Sequence, residues 1–151
     1  MMNLEQSLEK QSSKIPKWIV YAFLIVSAAG FVDATYLAVK HYSGSPVSCS
    51  IIQGCERVLT SRYAVVYGVP VALLGSIYYT VIFVLTAAFI DTKRRAVLSY
   101  AARFTFVGFI AALWFLYLQV FVIRAICFYC IVSAVSSVAL FILGMLVLSR
   151  K

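Results

Sequence analysis

Four long apolar runs, residues 18–39, 68–90, 96–122 and 126–148, limit this chain to a fold whose solvent is lipid. A run of about 22 residues rises roughly 33 Å as a helix, enough for the hydrocarbon core of a bilayer. Inside that core a helix satisfies its own backbone groups, which an open strand does not. The chain of 151 residues is 64% hydrophobic and 12% charged, with mean hydropathy +0.98. A soluble domain of this length could not hide so much apolar surface. The expected fold is an all-α integral membrane protein. A polar tail, 1–17, precedes a four-transmembrane-helix bundle, 18–148, with one long outer loop, 40–67. Residues 4–11 of the tail read as a surface helix. In the loop, the Gly, Ser and Pro residues of 43–46 signal a turn, and residues 55–61 read as a short helix on the membrane face. Lys14, Lys17, the run 18–26 and Ser27-Ala28-Ala29 also resemble a cleaved signal peptide, but the apolar run continues to Val39.

The net charge of +8 would suit nucleic acid, yet the basic residues stand mainly at the ends of apolar runs. Lipid headgroups and topology explain that placement, so no nucleic-acid partner is expected. Four spans put both termini on one side. That side carries Lys10, Lys14, Lys17, Lys93, Arg94, Arg95, Arg150 and Lys151, against Lys40, Arg57, Arg62 and Arg124 on the other. The positive-inside rule makes the first side cytoplasmic. The expected location is the cell (inner) membrane, multi-pass, with the loop outside.

There are 4 cysteines. Cys49 and Cys55 fall in the outer loop, and Cys127-Phe128-Tyr129-Cys130 opens the fourth span. All four then lie at the extracytoplasmic face, where disulfides persist. A C-x-x-C places both thiols on one side of a helix, and a helix starting near Ile126 would lower a thiol pKa through its N-terminal N–H groups. Two such pairs can relay electrons by thiol–disulfide exchange, the loop pair meeting a soluble protein and the inner pair meeting something in lipid. A quinone is the obvious lipid-borne acceptor. Two other readings of the cysteines stand beside this one. The spacing C-x₅-C with C-x₂-C is a poor match to structural zinc sites, so no metal is expected. The cysteines could instead form one inert structural disulfide and two buried thiols in a non-enzymatic four-span scaffold. Asp33 lies deep in the first span, where a carboxyl is a functional hint or a protonated group bonded to a neighbouring helix. His41 reads as an interfacial polar residue, and Tyr36, Tyr42, Tyr63 and Tyr67 suit an interfacial aromatic belt.

Several stretches together resemble the vitamin K epoxide reductase family, especially its prokaryotic disulfide-forming members. They are Asp33-Ala34-Thr35-Tyr36-Leu37, Cys49-x₅-Cys55, Glu56 through Arg62, Gly68-Val69-Pro70-Val71-Ala72-Leu73-Leu74-Gly75 and Cys127-Phe128-Tyr129-Cys130. The resemblance covers residues 18–148. It implies a four-helix bundle around a quinone, ubiquinone or menaquinone, capped by the cysteine loop. It implies that Cys49 exchanges with a thioredoxin-fold, DsbA-like partner, that Cys55 passes electrons to Cys127, and that Cys130 faces the quinone. Ser61 matches a serine of the family between loop and pocket. With Cys130, the residues Ser61, Val71, Ala134 and Asp33 are the implied quinone-binding set. The activity implied is a quinone-dependent protein disulfide oxidoreductase, with a vitamin K quinone or epoxide reductase of the animal type as the alternative. The animal enzymes place a substrate-bonding asparagine and tyrosine where this chain has the apolar Val71 and Ala134, which favours plain quinone reduction. Many prokaryotic members carry a fused thioredoxin-like domain. None follows Lys151, so a separate partner protein is expected.

Overall fold

The computed structural model describes residues 2–12, 15–47, 49 and 54–150. It is an all-helical bundle. Helix α1, Met2–Ser12, rests against the third long helix. The long helices are α2, Lys17–Ser43; α4, Val71–Thr92; α5, Arg95–Tyr117, prolonged by π-helical turns over Leu118–Ile123; and α6, Phe128–Ser149. Each is long and apolar enough to cross a membrane. The protein is therefore a multi-pass membrane protein. Short helix α3, Cys55–Leu59, lies between α2 and α4. Lys14 and Lys151, counted in the charge balance, lie outside the described residues.

Local chemistry sets most boundaries. Gly44, in the left-handed region at φ 62°, stops α2 and returns its N–H to the His41 carbonyl. Lys93, at φ 53°, does the same for α4. The expected second span began at Gly68, but α4 begins at Val71. Residues 65–70 form a small antiparallel hairpin instead, with Val65 opposite Pro70 and Val66 opposite Val69. Its two turn residues, Tyr67 and Gly68, both have positive φ, the geometry a two-residue hairpin loop requires. The expected short helix over 55–61 stops at Leu59, and Thr60 and Ser61 lead into a 3₁₀ turn, Arg62–Ala64.

The helices pack in a ring, α2 against α4 and α6, and α5 against α4 and α6. Lipid gives no hydrophobic drive between spans, so close approach and polar contacts hold them. At Gly30 a Cβ would overlap the Tyr79 ring, and at Gly144 it would press on Thr105 and the Ala102 backbone. These are the places where α2 meets α4 and α6 meets α5. Thr35 and Ser76 share a hydrogen bond of 2.9 Å between α2 and α4. Ser27, Thr86 and Thr105 are fully buried and donate to carbonyls of their own helices, which leaves no hydroxyl unsatisfied there. Outward faces carry large apolar side chains, such as Ile110, Leu113 and Trp114 on α5, as lipid contact demands.

Candidate thiol-disulfide site and adjoining cavity

The cysteine loop, the hairpin, the π-helical turns and the start of α6 all lie at one end of the bundle. Cys49 and Cys55 are joined by a disulfide. Cys55 opens α3 directly after Gly54 and is 1% exposed. Gly54 is buried against the Ile126 backbone, and a Cβ there would overlap the Ile126 carbonyl and nitrogen. The absent side chain lets the loop settle onto the linker that carries Cys127. Cys55, Val58 and Cys127 form one buried cluster, against which Cys49 and Cys130 pack. All four cysteines are thus brought together, from stretches 72 residues apart between Cys55 and Cys127.

The inner pair departs from expectation. Helix α6 begins at Phe128, so Cys127 is not on the helix. It stands at the N-cap with extended backbone, φ −102° and ψ 121°, and Cys130 lies in the first turn. The cause is the linker before it. Arg124, at φ 53°, ends the π-helical turns. The Gln119 carbonyl then accepts the N–H of Arg124 and, at 3.1 Å, that of Ala125. The Gln119 side-chain oxygen Oε1 accepts the Cys127 N–H at 3.0 Å. A π-helical segment of this kind is rare, and such segments recur at functional sites. Both thiols are free. The Cys127 thiol is held below its ordinary pKa, first by the Cys130 thiol beside it and then by the N–H groups of Cys130 and Tyr129, against the opposing pull of burial. The neighbouring thiol thus outweighs the helix-terminus effect the motif suggested, and both act on a residue that caps the helix. Tyr129 packs at a tilt of 42° against Tyr36, ring centroids 5.3 Å apart, and Lys40 lies 5.7 Å from the Tyr36 ring centre.

Beside the cluster is a partly open cavity of about 370 Å³ lined by α2, α4, α5 and α6, by α3 and the hairpin, and by the π-helical turns. Cys130 lines it, so the inner pair touches both the cysteine cluster and the cavity. Of the residues expected around a ligand, Ser61, Val71 and Ala134 also line it. Asp33 does not. Its neighbour Ala34 and Leu37, one turn on, face the cavity, and the 100° step per residue of a helix turns Asp33 aside. Its Oδ2 is buried and has no hydrogen-bond partner among the described residues. The walls are otherwise apolar, with a few polar points that the sequence reading did not assign. Tyr79 donates a 2.7 Å hydrogen bond to the Ser133 carbonyl, with the Ser133 and Ser137 hydroxyls at 3.1 and 3.0 Å from its own. The Tyr78 hydroxyl is buried beside Gly108 and has no partner among the described residues. Gln119 lines the cavity too. The available signal was a polar residue inside an apolar run: Gln119 in the third, and Ser133 and Ser137 on one face of the fourth. No group of three or more His, Cys, Asp or Glu among the described residues could hold a metal ion.

Fold and site together define a class: a four-span membrane protein with two cysteine pairs in one cluster above an apolar cavity. Residues 21–145 match the model of the vitamin K epoxide reductase family, and the chain belongs to that family. It is 36% identical over 121 residues to the thiol-disulfide oxidoreductase LTO1 of Arabidopsis thaliana, a match covering 75% of this chain. The chain matches about one third, 32%, of that relative's length.

Proposed function

We propose that the protein is a membrane thiol-disulfide oxidoreductase that oxidises a separate thioredoxin-fold, DsbA-like protein and passes the electrons to a quinone. The observation that carries this is Cys130, which belongs at once to the cluster of four cysteines and to the cavity wall. A quinone headgroup is a flat apolar ring with carbonyl acceptors. Apolar walls with a few polar side chains, Ser61 and Gln119 among them, suit it. When bound, the quinone supplies a two-electron sink that lives in the membrane.

The residues divide the work by position. Cys49, less buried than Cys55, meets the partner; a partner thiolate attacks its sulfur, and the partner leaves oxidised. The loop dithiol so formed attacks through Cys55 on the Cys127 side of the inner disulfide. The loop disulfide reforms and the inner pair becomes a dithiol. The structure has this arrangement, with the loop pair bonded and the inner pair free. A quinone held in the cavity against Cys130 would supply the two-electron acceptor; Cys127, the thiol with the lowered pKa, would then close onto the Cys130 sulfur, and the pair would return to the disulfide as its two electrons and two protons pass to that acceptor. The basic residues around 93–95 and at Arg150 support a cytoplasmic face opposite the cysteines, which places the chemistry at the extracytoplasmic face of the cell membrane.

The test is quinone reduction by purified protein in detergent, driven by a reduced DsbA-like protein. Wild type turns over and Cys130→Ala does not. If neither turns over, and the thiols titrate as one stable disulfide and two inert thiols, the chain is a scaffold and the family fold carries no relay here.

A further inference from the structure

We infer that Gln119 is a positioning residue with two jobs: its oxygen sets Cys127, and its amide N–H groups bind the ligand's oxygen in the cavity. The second job rests on the quinone reading above. Gln119 is 3% exposed and lies in the π-helical turns at the end of α5. Which amide atom faces which way is fixed by chemistry. The Cys127 backbone nitrogen is a donor, so the Gln119 atom 3.0 Å from it is the oxygen, and Nε2 points elsewhere. Nε2 has no hydrogen bond within the described protein, yet it is not among the fully enclosed unpartnered polar atoms, which are Asp33 Oδ2 and the Tyr78 hydroxyl. Gln119 lines the cavity together with Cys130. An amide donor in an apolar cavity calls for an acceptor, and a quinone carbonyl is one.

The coupling follows from the covalent shape of the amide. Its oxygen and nitrogen are rigidly linked, so a ligand oxygen on Nε2 holds Oε1 toward the Cys127 N–H. The Gln119 carbonyl meanwhile holds Arg124 and Ala125, so one residue fixes three N–H groups of the linker. Occupation of the cavity and the geometry of Cys127 are thereby tied through one side chain.

Two variants separate the jobs. Gln119→Glu keeps an acceptor for the Cys127 N–H and replaces the amide donors by a carboxyl, which donates only when protonated. Gln119→Met removes both. The full-length protein in detergent is titrated with a short-chain ubiquinone analogue, following intrinsic fluorescence, across a pH series. Cys127 alkylation is measured in parallel, with and without the analogue. Wild type binds at every pH, and the analogue slows or speeds alkylation. Gln119→Glu binds like wild type at low pH and about tenfold more weakly at high pH. Gln119→Met binds about tenfold more weakly throughout, and its alkylation no longer responds to the analogue. If wild type binds and both variants bind equally well at all pH values, the role of Gln119 is overturned while the quinone reading stands. If wild type binds no quinone, both fall. A melting curve and the intact Cys49–Cys55 disulfide establish that each variant is folded.

Discussion

Single residues decide how this cluster can react. The Cys130 thiol is the first cause of the low pKa of Cys127. Only the thiolate alkylates, so the Cys127 rate climbs with pH and levels off above its pKa. In Cys130→Ala that cause is gone, and the inflection of the rate against pH moves upward, measured with a small maleimide or iodoacetamide in detergent. Unchanged position of the inflection would mean the helix N–H groups act alone. Gly54 carries a different constraint, since a Cβ there meets the Ile126 backbone and neither can yield cheaply. Gly54→Ala lifts Cys55 from Cys127. The inner pair then still reacts with a small dithiol, while transfer between loop and inner pair, read by trapping the mixed disulfide, falls by about tenfold or more.

At the scale of elements, small residues decide how close helices come. Gly144 lets α6 lie on α5 at Ala102 and Thr105. Gly144→Ala forces the two apart and costs about 1–3 kcal/mol, the range for overpacking, which appears as a lower midpoint of thermal unfolding in detergent. The hairpin is a second case. Gly68, at φ 80°, has open space around it, so Gly68→Ala is strained by its backbone alone. The expected loss is about 1–2 kcal/mol, the left-handed penalty for a residue with a Cβ, confined to the hairpin and leaving the spans intact.

For the whole molecule, the alternation of four helices puts Cys55, the hairpin and the start of α6 at one end, and the 92–95 turn with the start of α2 and the end of α6 at the other. Charge gives the orientation to test. In a variant without native cysteines, a cysteine placed at Ser45 is labelled by an impermeant maleimide from outside the cell, and one placed at Lys93 is labelled only after the membrane is opened. The reverse pattern would put the relay on the cytoplasmic side, where thiols are kept reduced, and would remove the case for a DsbA-like partner.

What the sequence determined by itself is what depends on nearby residues. Length and apolarity fix the four spans, turn residues such as Gly44 end them, and the spacing of cysteines defines two pairs. These are properties of single segments, and they survive whatever the segments pack against. Only the tertiary structure decided which face of each span points inward. A span that is apolar all round has no polar side to orient it, so the sequence does not encode its rotation. That is why Asp33 turns away from the cavity while Ala34 lines it, and why Tyr79, Ser133 and Ser137 meet from two helices. The start of α6 was displaced for a related reason. Propensity allows a helix from Ile126, but the linker's N–H groups bond to Gln119 instead. The contact of Gly54 with Ile126, which joins the two cysteine pairs, exists only between distant segments, and no local pattern announces it.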